Sequence, residues 1–365
     1  MKIISVFNNK GGVGKSTLTY HMGAALAELG VKTLLVDLDP QSNLTLYGLS
    51  ESQLEHIWVS EDDFIDDFAS AKNSMDRQEF EQFHSQNHSI HYILKTVEDG
   101  LSDEDTLPEP VQLNNNLALI PGRLTLHMFE SKISRQWSEA FLGEPQALRT
   151  VTAIRKKCEE YAKKHGYEVI LIDTSPSLSA LNKVIISNAD AFMIPCAPDM
   201  FSDYGIRNIG NALGAWKKEF GTMYSLLSDS KRKYFPENFV QLLGYTVYNA
   251  KKRSDASNEL GIALAHFNYA RKLPATIKKF VPETCFVNLG AEKFEQSMGD
   301  NAVIYGHGTL PTMAQKYRVP MWSVPDVQDL GNDKSTIRGN STKYYSTKNS
   351  YIKLANDVLE RLEAI

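Results

Sequence analysis

The segment from Asn9 to Thr17, which reads NKGGVGKST, has the residue types and the spacing of a phosphate-binding loop. Its glycines lack a Cβ atom, so consecutive backbone N–H groups can converge on phosphate oxygens at the start of a helix. Lys15 is placed to reach the β- and γ-phosphates of a nucleotide, and the Ser16 hydroxyl is placed to ligate Mg²⁺. The nucleotide-binding residues that the pattern of the loop predicts are Gly11, Gly12, Val13, Gly14, Lys15, Ser16 and Thr17.

The flanking sequence predicts the strand and the helix that such a loop requires. Residues 3–7 form an apolar run before the loop, and residues 18–29 follow it with a helical pattern. Two later apolar runs, residues 31–41 (VKTLLVDLDPQ) and 168–177 (EVILIDTSPS), indicate strands that end in carboxylates. In open α/β sheets the carboxyl ends of parallel strands border the ligand crevice. The carboxylates expected at this crevice are Asp37, Asp39 and Asp173.

The loop departs from the strict pattern GxxxxGK[ST], because Asn9 stands where that pattern has glycine and Lys10 adds a second lysine. A loop of this kind resembles the deviant Walker A motif of the ParA/MinD family of dimeric ATPases. In that family the lysine that matches Lys10 reaches the nucleotide bound by the partner subunit. The resemblance implies a P-loop NTPase of the α/β class, with a mostly parallel twisted sheet and helices on both faces. It also implies ATP and Mg²⁺ as cofactors, and a homodimer that forms with ATP.

The resemblance also assigns roles to the charged residues. Asp39 matches the residue that orients the attacking water, so the predicted catalytic residues are Lys10, Lys15 and Asp39. Asp173 matches the Walker B carboxylate, and the TSPS sequence that follows it resembles switch II. The predicted metal-binding residues are Ser16, Asp37 and Asp173.

Later segments extend the resemblance over most of the chain. Residues 117–126 (LALIPGRLTL) resemble the strand and turn before the family's central helices, and residues 189–205 resemble the strand after switch II and the loop into an interface helix. Asn249, in GYTVYNAKK, lies where family members hold adenine, and an amide can donate to and accept from the base edge. Asn249 could equally be a turn residue. Residues 310–324 and 350–362 resemble the family's closing strand and terminal helix.

A single ATPase domain is predicted over residues 1–365, with an acidic insertion at about 50–110 and a second insertion at about 268–308. The first carries 16 Asp or Glu and 3 Lys or Arg, a formal charge of −13, so the rest of the chain carries +8 within a total of −5. Its aromatic residues argue against disorder and favour short amphipathic helices packed on the body. It is either a lid or decoration, or a docking surface or nucleic-acid mimic that regulates the basic body. The second insertion indicates no function.

Basic pairs and triplets after switch II predict non-specific DNA binding, which depends mainly on neutralisation of phosphates by clustered lysine and arginine. A charge run is also typical of an ordinary solvated surface. The leading candidates for DNA contact are Lys217, Lys218, Lys251, Lys252 and Arg253. Together with the resemblance, they predict an ATP-dependent dimerising ATPase that binds DNA and positions or segregates a plasmid, chromosome or other cargo. Its slow hydrolysis would be stimulated by an adaptor protein.

Two other classes of protein compete with this hypothesis. A MinD-like ATPase would cycle on a membrane, or position a protein cargo without DNA, and would need a terminal amphipathic helix with a basic polar face. The C-terminal helix instead has core-like apolar spacing and balanced charges, so no membrane partner is expected. A relative of the nitrogenase iron protein would need cysteines that bridge a cluster between subunits, and Cys196 lacks a suitable mate.

The cysteine and histidine residues limit which redox and metal sites the chain could contain. The three cysteines, Cys158, Cys196 and Cys285, are far apart and form no CxxC pair, which suits a reducing cytoplasm. No signal sequence or membrane-spanning run is expected, because charges interrupt each apolar candidate. His307, between two glycines in YGHGT, is predicted to be a turn residue rather than a metal ligand, and no transition-metal site is expected.

Overall fold

The computed structural model describes all residues from 1 to 365 and contains a sheet of seven strands. The central strands are built from apolar runs, because a parallel sheet covered on both faces buries nearly every side chain of those strands. In chain order the strands are β1 (Lys2–Val6), β2 (Thr33–Leu38), β3 (Val111–Asn114), β4 (Leu117–Ile120), β5 (Val169–Thr174), β6 (Ala191–Cys196) and β7 (Gln241–Val247).

The strands lie in the order β3-β4-β2-β5-β1-β6-β7, and every neighbouring pair is parallel except β3 and β4. The predicted α/β fold with a mostly parallel sheet is therefore confirmed. β1 lies between β5 and β6, and it leads into the glycine-rich loop. The crevice at the carboxyl ends of these strands is where such sheets bind their ligands.

The chain has fifteen α-helices, of which the first ten lie between strands and the last five follow β7. The first seven are α1 (Lys15–Glu28), α2 (Glu51–Asp66), α3 (Phe68–Asn73), α4 (Arg77–His84), α5 (Ile90–Asp99), α6 (His127–Ala140) and α7 (Pro145–His165). The others are α8 (Ala180–Asn188), α9 (Met200–Leu226), α10 (Asp229–Arg232), α11 (Leu264–Ala270), α12 (Leu273–Phe280), α13 (Leu310–Tyr317), α14 (Lys334–Gly339) and α15 (Ser341–Leu362). None of them combines the length and the apolarity that crossing a bilayer requires.

Two hydrophobic cores hold the layers together, one on each face of the sheet. Successive residues of a strand point to opposite faces. Ile3 and Ile170 therefore lie in the core shared with α6 to α9, whereas Ile4 and Leu171 lie in the core shared with α1 and α15. The helices thus cover both faces of the sheet. The carboxyl ends of the strands, where the glycine-rich loop lies, stay accessible between them.

The acidic segment, residues 50–110, contains the four helices α2 to α5. Ser50 and Asp76 start α2 and α4 with capping boxes, which satisfy backbone N–H groups at the helix ends. Phe64, Phe68 and Tyr92 are buried in the same core as α6 to α9. The acidic segment therefore shares a core with the sheet. Its description as an insertion stays a prediction, as does that of residues 268–308.

The expected closing strand over residues 310–324 is wrong. This stretch forms α13 and a 3₁₀ segment, Met321–Asp326. Pro311 and Pro320 explain the difference, because proline has no N–H to donate to a strand ladder but suits the first turn of a helix. The terminal helix is also longer than expected, since α15 begins at Ser341 rather than at Ser350.

The cysteines are free and buried. Cys158 lies in α7, Cys196 ends β6, and Cys285 ends a short 3₁₀ segment. Burial raises the pKa of the Cys158 and Cys196 thiols to about 12 and also raises the pKa of Cys285. Such thiols carry very little thiolate at neutral pH, so they act as small apolar side chains of the core.

Candidate functional site

The loop between β1 and α1 has the backbone of an anion-binding turn. Gly12 and Gly14 have φ of 72° and 82°, a left-handed region that side chains disfavour. Helix α1 begins at Lys15, directly after Gly14, so its unpaired N–H groups and the positive end of its dipole face the loop. The backbone of this loop can therefore hold phosphate groups.

Two other elements pack against the loop and limit its shape. A Cβ atom on Gly14 would lie only 2.2 Å from the ring of Tyr248, the residue that follows β7. On the other side, Gly205 of α9 lies against Asn9, because a Cβ at Gly205 would be 3.2 Å from the Asn9 Oδ1. The loop thus lies between the residue that follows β7 on one side and the first turns of α9 on the other.

Asp37 and Asp173 lie side by side in the sheet. β2 and β5 pair in parallel with Asp37 opposite Asp173, and β1 pairs Val6 with Asp173 from the other side. Side chains at matching positions of neighbouring strands point to the same face, so the two carboxylates are close neighbours. Both are completely buried.

Asp173 is the residue best suited to bind a metal ion. Neither of its carboxylate oxygens has a hydrogen-bond partner. Burial, reinforced by the charge of Asp37, raises the pKa of Asp173 well above its usual range, whereas the Ser16 hydroxyl, which is near but falls short of a hydrogen bond, lowers it. Mg²⁺ in nucleotide sites is held by one or two carboxylates together with phosphate oxygens and water. A buried carboxylate without a partner, beside a phosphate-binding loop, therefore fits Mg²⁺.

Asp37, the other predicted carboxylate ligand of the metal, is already bonded to protein donors. Its Oδ2 accepts from the amide (2.8 Å) and the hydroxyl (2.7 Å) of Thr45, and its Oδ1 accepts from the Asp39 N–H at 3.2 Å. Burial raises the pKa of Asp37 to about 7, although these hydrogen bonds oppose the shift. The geometry favours Asp173 over Asp37 for direct contact with a metal ion, and Asp37 holds the chain that returns after β2.

Lys15 and Asp39 lie at the same end of the sheet. Burial lowers the pKa of Lys15, which is 7 % exposed, and the charges of Asp173 and Asp39 oppose that shift. Asp39 is also buried, and its Oδ1 accepts from the Gln41 N–H at 3.0 Å. The structure therefore brings Lys15, Asp39 and Asp173 together, next to the loop.

Lys10 is engaged elsewhere. Its ammonium forms an ion pair with Asp199, which caps the start of α9. It also lies 5.8 Å from the centre of the Phe201 ring. The side chains of Lys10 and Asp199 are 21 % and 39 % exposed, so the pair lies at the rim of the crevice. In the single chain, the lysine that distinguishes this loop is held by its own subunit.

A cavity of about 560 Å³ is lined by Lys252, which follows β7, by residues 305–310, and by residues of α14 and α15. Asn249, two residues after β7, has a left-handed φ of 64° and lies against Gly306 in the cavity wall. The neighbouring His307 ring packs between the rings of Tyr248 and Tyr351, at 5.8 Å from each. Burial lowers the pKa of His307 to about 4, so the ring is neutral. A cavity of this size beside flat, uncharged rings can accept a nucleobase.

The residues predicted to contact DNA fall in two places. Lys251, Lys252 and Arg253 are exposed, directly after β7 at the edge of the crevice. Lys217 and Lys218 lie on α9, about 25 Å along the helix from Met200 at a rise of 1.5 Å per residue. The Lys217 ammonium donates to a backbone carbonyl at 3.0 Å, so it is partly engaged. The two groups therefore lie on different elements of the fold.

The TSPS sequence after β5 forms a turn that Asn182 holds in place. The side-chain amide of Asn182 donates to the carbonyls of Ser175 (2.9 Å) and Ser177 (2.8 Å), and the two serine hydroxyls lie 2.8 Å apart. Asn182 lies in α8 and was not predicted from the sequence. It acts across the turn, and no local pattern indicates it.

Asp199 and Thr45 are two further residues that sequence analysis missed. An aspartate just before a helical run is an N-cap signal, which could have identified Asp199 as the start of α9 but not as the partner of Lys10. Thr45 carries no such signal, because its bond to Asp37 depends on how the chain returns after β2.

A glycine-rich loop between a central parallel strand and a helix, with a lysine and carboxylates at the same edge, defines a P-loop nucleotide-binding protein. A sequence profile described as an AAA domain matches residues 1–225, which is more than half of the chain. With the relatives described next, this match shows that the chain belongs to the ParA/MinD family of P-loop ATPases.

The relatives are distant. The sporulation initiation inhibitor protein Soj of Bacillus subtilis is 28 % identical over 227 residues, which cover 60 % of this chain and 68 % of Soj. An uncharacterized protein of Methanocaldococcus jannaschii is 31 % identical over 209 residues, 57 % of this chain and 63 % of that protein, so the match spans less than two thirds of the relative. A structure of pNOB8 ParA bound to nonspecific DNA has a TM-score of 0.53 at 17 % identity, covering 99 % of this chain and 98 % of that one. This last likeness concerns the fold alone.

Proposed function

We propose that this chain is an ATPase that dimerises with ATP, binds DNA without sequence preference, and positions a plasmid, a chromosome or another cargo. The observation that carries the proposal is the different placement of the two loop lysines. Lys15 faces the carboxylates inside the crevice, whereas Lys10 lies at the rim beside exposed apolar side chains. A lysine at the rim suits contact with a nucleotide across a subunit interface.

Within one subunit, the described residues are suited to bind and orient ATP. The N–H groups of the loop and of the start of α1 would hold the β- and γ-phosphates, and Lys15 would offset their charge. Ser16 and Asp173 would hold Mg²⁺, which when bound adds positive charge at the phosphates. Asp39 would accept a hydrogen bond from the attacking water and align it with the γ-phosphate, giving ADP and phosphate. The base would lie in the cavity beside Asn249.

We propose that a second copy of the chain packs against the rim of the crevice. Phe201 and Tyr204, on the first turns of α9, are 63 % and 56 % exposed. Met200, which precedes Phe201, and Leu178, in the turn after β5, are also exposed. Large apolar side chains that remain exposed around a binding crevice are typical of an interaction surface. Two subunits closed over these residues would bring Lys10 of each toward the nucleotide of the other.

DNA is the proposed partner of the basic residues after β7. Lys251, Lys252 and Arg253 are exposed at the crevice edge, so a dimer would present two such triplets. The residues outside the acidic segment carry a formal charge of +8, which favours contact with phosphates. That pNOB8 ParA has been solved on nonspecific DNA supports the same use of this fold. The protein would then be associated with the nucleoid, and an adaptor protein would stimulate its hydrolysis.

The alternative, a MinD-like ATPase that cycles on a membrane, has less support. The apolar side chains of α15, among them Tyr351, Leu354 and Val358, are buried in the core that α15 shares with α1. These side chains are therefore not available to enter a bilayer. A protein cargo handled without DNA becomes the better account if the DNA experiment fails.

The experiment is a DNA-binding titration with ATP, with ADP and without nucleotide, each at several salt concentrations. We expect binding only with ATP, no dependence on sequence, and a steep loss of affinity with salt, since each phosphate contact adds about one unit to the slope of log affinity against log salt. Replacing Lys251, Lys252 and Arg253 by alanine should flatten that slope. A control variant with alanine at Lys32, Lys163 and Lys164 removes the same charge from exposed positions next to the amino ends of β2 and β5, and should keep the slope.

Two results would contradict the proposal. Equal binding with ATP and ADP would separate DNA contact from the ATPase cycle. Undetectable binding at low salt, with the ATP-bound dimer intact, would remove DNA as the partner.

A further inference from the structure

The acidic segment is attached to the body by a buried arginine that lies outside it. Arg123 follows β4 and is only 4 % exposed. Its guanidinium donates to the Trp58 carbonyl at 2.7 Å and to the Glu61 Oε2 at 3.2 Å, and it also pairs with Asp62. All three acceptors belong to α2. One side chain of the body thus fixes the position of this helix.

Glu61 is the other half of this attachment. It is completely buried, although it belongs to the most acidic part of the chain. Its oxygens accept from the amide and the hydroxyl of Ser89, both at 2.6 Å, and its Oε1 lies 3.0 Å from the His88 Nδ1. A buried carboxylate is tolerated only when charge and hydrogen bonds compensate it. α2 therefore has one position in which Glu61 is satisfied.

The same contacts continue to the nucleotide site. The Trp58 Nε1 donates to the Gly122 carbonyl at 3.0 Å, and the Gly122 N–H donates to the Thr45 hydroxyl at 2.8 Å. That hydroxyl donates to the Asp37 Oδ2 at 2.7 Å. An unbroken series of hydrogen bonds thus runs from α2, through the turn after β4, to a carboxylate beside Asp173.

Little free space exists along this path. A Cβ atom on Gly122 would lie 2.7 Å from the Ser42 Oγ and 3.1 Å from the Asp37 Cγ. The turn after β4 therefore lies directly on the chain that follows β2, and a shift of this turn displaces Thr45 or Asp37. Close packing of this kind transmits small displacements rather than absorbing them.

We infer that the acidic segment positions the nucleotide site: α2, held by Arg123, fixes the Gly122 turn and through Thr45 the Asp37 carboxylate and residues 39–47. Arg123 and Trp58 are positioning residues for the Mg²⁺–nucleotide site. The inference rests on the proposed function, because it concerns the ATP site described there. It departs from the view of the segment as a lid or a decoration, since such a part could be loosened without effect on the site.

Trp58→Phe is the first variant, because it keeps an aromatic ring and removes the hydrogen bond to Gly122, together with the pyrrole part of the indole ring. Arg123→Met removes the attachment, and Arg123→Lys keeps the charge beside Glu61 but cannot reach all the acceptors of arginine. Asp62→Asn is the matched control. Asp62 contacts the same guanidinium, but its side chain is 62 % exposed and it lies outside the series of hydrogen bonds.

Two measurements are made on the full chain. One is hydrogen–deuterium exchange of residues 39–47 without nucleotide. The other is the Mg²⁺ concentration that half-saturates binding of a fluorescent ATP analogue, with binding in EDTA as the reference. We expect Trp58→Phe to speed exchange and raise the Mg²⁺ concentration about two- to tenfold, the range that loss of one hydrogen bond allows. Arg123→Met should do more, Arg123→Lys less, and Asp62→Asn neither.

The outcomes separate the inference from the proposed function. If the unmodified protein binds no ATP analogue at any Mg²⁺ concentration, the proposed function fails. If it binds, and Trp58→Phe matches the control in both measurements, the inference is wrong while the proposed function stands. If Arg123→Met does not fold, the comparison of Trp58→Phe with Asp62→Asn decides the question.

Discussion

Replacing Asp199 by asparagine should strengthen ATP-dependent dimerisation. In the single chain, the Lys10 ammonium is paired with the Asp199 carboxylate. In the proposed dimer it would have to leave this partner before it could contact a nucleotide in the other subunit. Asparagine removes the charge but keeps the capping role of this side chain, which accepts from the Ser202 N–H at 3.1 Å. The variant therefore isolates the ion pair from the stability of α9.

The size of the effect follows from the exposure of the pair. Asp199 is more than one third exposed, so solvent screens the interaction and each pair contributes about 0.5–1 kcal/mol. Formation of the proposed dimer would break two such pairs, one in each subunit, at a total cost of about 1–2 kcal/mol. The dimer dissociation constant of Asp199→Asn should therefore be about five- to thirtyfold lower than that of the unmodified protein.

The assay is sedimentation equilibrium with Mg²⁺ and a non-hydrolysable ATP analogue. The difference between the dimer dissociation constants of the two proteins should decrease as the salt concentration rises, because salt screens the ion pair. Asp199→Ala serves as the control, since it removes both the charge and the cap and should weaken α9. A dimer that is unchanged or weaker in Asp199→Asn would refute the idea that Lys10 is held back by its own subunit.

Three other predictions concern the crevice. Lys15→Ala should abolish nucleotide binding, whereas Lys10→Ala should leave the affinity of the monomer intact and impair dimerisation; equal losses of affinity in a nucleotide titration would contradict this difference. Asp39→Ala should bind ATP with nearly normal affinity but hydrolyse it far more slowly, and a parental rate of phosphate release would remove its assigned role. The pKa of Asp37 is raised to about 7 in the folded chain, so the metal-free protein binds a proton there that the unfolded chain lacks between about pH 4 and 7, and its stability falls as pH rises through that window. The difference in Tm between Asp37→Asn and the unmodified protein should therefore be more favourable to the variant at pH 8 than at pH 5. The same difference at both pH values would contradict the shifted pKa.

The parts of the site that sequence analysis predicted are those that local patterns encode. The glycines and Lys15 occupy consecutive positions, so their spacing fixes the turn and the helix start together. Asp37 and Asp173 end apolar runs, and parallel pairing of β2 with β5 then makes them neighbours. In these cases the chemistry follows from the element itself, without knowledge of how distant parts of the chain pack.

The parts that were missed depend on contacts between distant residues. Lys10 and Asp199 are separated by 189 positions, and Arg123 and Glu61 by 62, so no window of sequence contains either pair. The prediction of the closing strand is wrong for a different reason. The family resemblance predicts a strand over residues 310–324, but Pro311 and Pro320 in that range are incompatible with the interior of a sheet.

The burial of every cysteine has a practical consequence for following this protein in motion. Cys158, Cys196 and Cys285 are inaccessible and their thiols are protonated at neutral pH, so maleimide dyes should not react with them. A cysteine introduced at an exposed position such as Val59 on α2 would then be the single reactive thiol in an otherwise native chain. Fluorophores attached there could report subunit association and the movement of α2 by energy transfer, with no need to remove native residues from the core.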